Sequence, residues 1–130
     1  YEEKHEAADV AQKYGVSIIS LIAPTSEDRI KMIASEAEGF IYIVSSMGVT
    51  GVRSEIKTDI GHIMEAVKKY AKVPAAVGFG ISKPEQAKKM ADLSDGVIVG
   101  SAIVKLVAQY GSDAPDHIYE YVKSMKDAIR

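Results

Sequence analysis

The feature that most constrains this chain is a repeated switch of hydrophobic period. Short, β-branched apolar runs alternate with stretches in which apolar residues recur every three or four positions. The runs are Val16 to Ala23, Phe40 to Val44, Val73 to Val77 and Gly96 to Val99, and they begin every 23 to 33 residues. A run that is apolar on both alternations asks to be covered on both faces, as in a parallel sheet. That spacing is the length of a strand plus the helix that returns the chain to the same edge. The pattern predicts an α/β fold with parallel strands.

The intervening stretches predict helices. Ala7, Val10, Ala11 and Tyr14 share one face of a helix over roughly Glu2 to Tyr14, which Gly15 stops. Pro24-Thr25-Ser26 breaks the first run and caps a helix whose stripe is Ile30, Ile33, Ala34 and Ala37, with Glu27 and Asp28 at its positive end. A third helix over about Thr58 to Ala71 turns Ile60, Ile63, Met64 and Val67 inward. Ser82-Lys83-Pro84-Glu85 fits a capping box opening a short helix through Ala91. Ala102 to Gln109 is apolar nearly all round and predicts a buried helix. A last helix presents Ile118, Val122, Met125 and Ile129. Four βα units follow one leading helix. They fit either an open doubly wound sheet or part of a (β/α)₈ barrel, which needs roughly 250 residues and eight units. Residues 1–130 then form a single partial domain. The chain opens on Tyr1 in helical material, which suggests that something precedes it.

Charge and composition narrow the function classes. Sixteen basic residues face eighteen acidic ones, so no field recommends nucleic acid or an anionic membrane as partner. Cysteine is absent, which excludes disulfides, thiolate metal sites and cysteine nucleophiles. No apolar run approaches the roughly 20 residues that span a bilayer, and no basic-then-apolar leader is visible, so a secretory route is not expected. His5, His62 and His117 each lie on a predicted helix without a ligand partner at i+4 and are assigned no metal.

Glycines stand where the last two strands end and helices begin, at Gly78-Phe79-Gly80 and at Gly100-Ser101. Such turns admit a ligand close to the backbone, and the helix that follows offers free amides and a positive dipole end. Two of them in succession, the second running into an extra helix, match the barrel phosphate site after strands 7 and 8. The plain alternative is turn glycines without a ligand. The segment Ser45 to Glu55 is long for a βα connection and carries two glycines, which suits a lid or a simple surface loop. Tyr42, in mid-strand, is a core tyrosine or a pocket wall. Asp59, Asp92 and Asp95 lie at helix ends or at the start of a strand, and Glu55 at the end of the lid segment. No carboxylate stands at the C-terminal end of a strand, where barrel chemistry takes place.

Three motifs carry a family resemblance. Gly48-Val49-Thr50-Gly51, then Gly78-Phe79-Gly80-Ile81-Ser82 with Pro84-Glu85-Gln86, then Asp95 through Lys105 resemble the tryptophan synthase α chain in order and spacing, from Tyr1 to Arg130. The resemblance implies four βα units forming the C-terminal half of a TIM (β/α)₈ barrel in a cytoplasmic lyase of tryptophan biosynthesis. That lyase cleaves indole-3-glycerol phosphate to indole and glyceraldehyde 3-phosphate, and hands indole to a β chain. It needs no cofactor of its own, since pyridoxal phosphate belongs to the β chain. The resemblance places the substrate phosphate on backbone groups of Gly51, Gly80, Gly100 and Ser101, and the indole against Ile22, Tyr42, Phe79 and Ile98. Thr50 falls on the lid, reaching toward a catalytic aspartate. That aspartate and the catalytic glutamate belong to the family's other half, so no catalytic residue is expected here and the isolated chain is expected to be inactive.

Two other readings stay open. One is a different phosphate-sugar barrel, such as an indole-glycerol-phosphate synthase or a histidine-pathway barrel, although neither a catalytic lysine nor a strand-end aspartate is found. The other is a non-enzymatic half barrel that binds phosphate or pairs with its own kind through two bare strand edges.

Overall fold

The computed structural model describes residues 3–45, 53–78 and 80–130, and the backbone alone over 53–59. Along these residues run α1 (Lys4–Lys13), β1 (Ser20–Ile22), α2 (Glu27–Glu36), β2 (Ile41–Val44), α3 (Arg53–Tyr70), β3 (Ala75–Gly78), α4 (Pro84–Ala91), β4 (Gly96–Val97), α5 (Ser101–Tyr110) and α6 (Ala114–Ile129). A single 3₁₀ turn, Gly111–Asp113, joins the last two helices. The four strands form one parallel sheet in the order β1-β2-β3-β4.

This order separates the two architectures that the period leaves open. A doubly wound sheet reverses its strand order part-way and places helices on both faces. Here each strand lies beside its predecessor with no reversal. The side chains of Ile22, Ile41, Ile43, Ala75 and Val77 share one core with Ile30, Ile33, Ile60, Ile63, Met64, Val67, Ala87, Met90 and Met125. Helices therefore cover one face. The register Leu21↔Tyr42 and Tyr42↔Ala76, continuing Ala76↔Gly96, puts the other face on the opposite alternation. There Leu21 is 59% exposed, although it sits within a strand between two buried neighbours. A sheet wound one way, with helices outside and an uncovered concave side, is an arc of a barrel wall.

The apolar stripes of α2 and α3 land as their period predicts: Ile30, Ile33 and Ala34 are buried, as are Ile60, Ile63, Met64 and Val67. Ser26, extended at φ −65° and ψ 152°, caps α2 by accepting a hydrogen bond from the Arg29 amide at 3.4 Å. Four expectations need correction. The box at α4 is shifted by one residue: Lys83 is the N-cap, and Gln86, not Glu85, supplies the reaching side chain. α3 starts at Arg53, ahead of Thr58: Arg53, Ser54 and Glu55 are polar, and a periodicity of apolar residues does not register them. The predicted burial of α5 does not occur. It holds no buried residue, and Val104 is 66% and Val107 49% exposed, because among the described residues it packs chiefly against α6 and the 3₁₀ turn. The stripe of α1 is likewise bare, with Val10 60% and Tyr14 72% exposed. No helix among the described residues is long and apolar enough to cross a membrane.

Candidate functional site

Because the strands are parallel and in sequence order, the C-terminal ends of β3 and β4 fall side by side, about 4.8 Å apart. Both glycine turns open at that edge. After β3 the chain reaches Gly80 at φ +76°, a left-handed conformation that favours glycine. Ile81 then turns back into the core and is buried. Gln86 Oε1 accepts from the amides of Ser82 (3.0 Å) and Lys83 (3.1 Å) and from the Ser82 hydroxyl (3.3 Å). From the other side the Tyr121 hydroxyl donates to the Ser82 carbonyl at 2.6 Å. After β4 the Ile98 amide continues the ladder, donating to the Val77 carbonyl at 2.8 Å. α5 then begins at once. The Gly100 carbonyl accepts from the amides of Ile103 (3.0 Å) and Val104 (3.1 Å), closing the first turn, while Gly100 and Ser101 themselves are exposed. The first amides of a helix have no intrahelical partner and carry the positive end of its dipole. The Gly80 turn and the start of α5 therefore share one edge of the sheet, and free amides at a helix start are chemistry suited to an oxyanion.

Tyr42 stands on the uncovered face, opposite Leu21 and Ala76 in register. Its phenol leans along the sheet over Gly78. A methyl group at position 78 would overlap the hydroxyl and Cζ and lie 2.8 Å from Cε1. Gly78 is therefore needed for close approach by a ring, and the pair forms a flat aromatic floor beside the two turns. Val97 and Val99 pack on the helix-side core, which leaves Ile98 between them on the Tyr42 side. Ile22 stands apart from this group. It pairs with Ile43 on the helix side and has no exposed surface. Gly51, Thr50 and Phe79 lie outside the described residues, as does most of the lid segment. Of that segment Ser45 is buried, its amide donating to the Gly78 carbonyl at 3.0 Å, and Arg53 to Glu55 belong to α3.

The described carboxylates serve structure at the opposite edge or at the surface. Asp95 accepts from the Ala75 amide at 2.9 Å while its own amide donates to the Ala75 carbonyl at 3.0 Å, so it closes the start of the β3–β4 ladder. Asp92 pairs with Lys88 across one exposed helical turn at 3.7 Å, a contact of little energetic weight. His117 stacks on Tyr110 at 3.5 Å between ring centres, and His62 is exposed. Among the described residues no group of three or more His, Cys, Asp or Glu could hold a metal ion. Two features escape a reading of the sequence. The Tyr42–Gly78 contact exists only once register sets the strands beside each other. Tyr121 gives a faint signal as a tyrosine beside an apolar stripe, a place where its hydroxyl needs a partner.

A family model for the tryptophan synthase alpha chain matches residues 1–130, the whole chain. The chain belongs to the tryptophan synthase alpha chain family. It is 50% identical over 129 residues to the tryptophan synthase alpha chain of Lacticaseibacillus casei, covering 99% of this chain and 48% of that one. Among solved structures it resembles the tryptophan synthase alpha subunit of Campylobacter jejuni at 31% identity and a TM-score of 0.79, covering 98% of this chain and 48% of that one. It also resembles a chain of the tryptophan synthase a2b2 complex from Pyrococcus furiosus at 32% identity and a TM-score of 0.78, covering 95% of this chain and 51% of that one. The chain spans about half the length of the curated relatives it matches. Its four βα units are accordingly half of a TIM barrel of the alpha-chain family.

Proposed function

We propose that this chain supplies the phosphate-binding and lid half of an alpha-chain lyase that cleaves indole-3-glycerol phosphate to indole and glyceraldehyde 3-phosphate in tryptophan biosynthesis. One observation carries the reading: the turns after β3 and β4 open side by side, one with Gly80 at positive φ and one running directly into the N-terminus of α5. In this reading the substrate phosphate lies on the amides of Gly80, Gly100 and Ser101, with Gly51 approaching from the lid that carries Thr50. Tyr42, Phe79 and Ile98 flank the indole ring. The catalytic glutamate and aspartate come from the complementary half, because proton transfer needs an acid and a base within reach of the substrate and the described carboxylates stand elsewhere. The chain binds no cofactor, and indole passes to a β chain holding pyridoxal phosphate. A relative's a2b2 assembly supports that partnership.

The test is a titration of glycerol 3-phosphate into isotopically labelled chain. Saturable shifts centred on the amides of Gly51, Gly80, Gly100 and Ser101 are the expected result, with no lyase turnover by these residues alone. A well-dispersed spectrum without such shifts would remove phosphate binding from this half.

A second reading, a half barrel that pairs with another copy of itself, is favoured by the exposed Leu21 on the open face and by bare edges at β1 and β4. A hollow on the helix side of the β4 edge, lined by Gly96, Val97, Val99, Ile103, Val122 and Met125, adds apolar surface there. Light scattering distinguishes the two: a monomer at high concentration counts against pairing.

A further inference from the structure

The residue that follows Gly80 and Ile81 is held from both sides. The Ser82 amide donates to Gln86 Oε1 at 3.0 Å, and the Ser82 carbonyl accepts from the Tyr121 hydroxyl at 2.6 Å. The two anchors come from different elements. Gln86 belongs to the first turn of α4, whereas Tyr121 lies on α6, thirty-nine residues beyond Ser82. Between them and the strand sits Ile81, whose side chain is buried and fixes the third side of the turn. α6 packs along α4, and the ring of Tyr121 lies against the core, so the hydroxyl that reaches Ser82 is carried on a settled side chain. A turn with glycine at positive φ is otherwise the most permissive stretch of this edge. An oxyanion bound by amides gains most when those amides already point at it.

We infer that Tyr121, together with Gln86, is a positioning residue that clamps the backbone of Ser82 on both sides of its Cα and so aims the amides at Gly80 and Ile81 for phosphate. The inference rests on the phosphate reading above. It makes α6, which touches no substrate, part of what sets phosphate affinity.

Tyr121→Phe keeps the ring and removes only the hydroxyl, and Gln86→Ala frees the amide side of the same residue from a position outside α6. Each is titrated with glycerol 3-phosphate while backbone amides are followed, and each is first shown to be folded by circular dichroism. Loss of one hydrogen bond of this kind is expected to weaken binding about three- to tenfold. At saturation the shift at Gly80 should shrink, while those at Gly100 and Ser101 persist. A purely structural role would lower thermal stability and leave that split between the two turns unchanged. Unaltered affinity in either folded variant, with normal binding by the parent chain, overturns the inference and leaves the phosphate reading standing. Absence of saturable shifts in the parent chain removes both.

Discussion

Gly78 shows how far a single residue can depend on its neighbour across the sheet. Its place at the end of a strand is readable from the sequence, but its reason is the phenol of Tyr42 lying where a side chain would be. Gly78→Ala is expected to cost about 1–3 kcal/mol in a denaturant titration, through overpacking. In Tyr42→Ala/Gly78→Ala the cost of the second methyl should largely vanish, so the two changes will not add. Tyr121 offers a second check at this scale. Burial raises its phenol above the usual tyrosine range. The native state therefore keeps its proton longer than the unfolded chain does. Stability should be level below about pH 10 and fall as the pH rises past the unfolded value, where only the unfolded phenol ionises. Tyr121→Phe should lack that component of the decline when unfolding is followed from pH 8 to 11.

At the scale of elements, the apolar pattern located each α-helix and strand among the described residues, and its errors have physical causes. It works from apolar residues, so it placed α2 and the inward residues Ile60, Ile63, Met64 and Val67 of α3 well and missed the opening of α3 at the polar Arg53, Ser54 and Glu55. It placed the capping box one residue early because Ser and Glu are the commonest residues for those roles, while here a Gln one position later reaches two amides. It also took the apolar surface of α5 as a sign of burial, although a sequence states only that a surface is apolar. Val104 is exposed in this chain, so Val104→Lys should change the unfolding free energy by less than about 0.5 kcal/mol. A loss of 1 kcal/mol or more would mean that α5 is covered in solution.

For the whole molecule, the arrangement is one wall of a barrel with a finished outside and an unfinished inside. Ile43 and Leu21 sit on adjacent strands and belong to opposite faces. Ile43→Ala should cost about 2–5 kcal/mol, since it empties a site with no exposed surface. Leu21→Lys should cost less than about 0.5 kcal/mol in a monomer, and in light scattering it should release any paired copies. Taken by itself, the sequence determined the class of fold, the positions of four βα units, the glycine turns and the family motifs, because these are written in local period and in residue types with special backbone freedom. Only the tertiary structure decided that the strands run in order without reversal, that Tyr42 stands over Gly78, that Ile22 serves the core, and that Tyr121 reaches Ser82. Each of these depends on register or on contact between distant segments, and neither is fixed until the sheet forms and the helices settle on one of its faces.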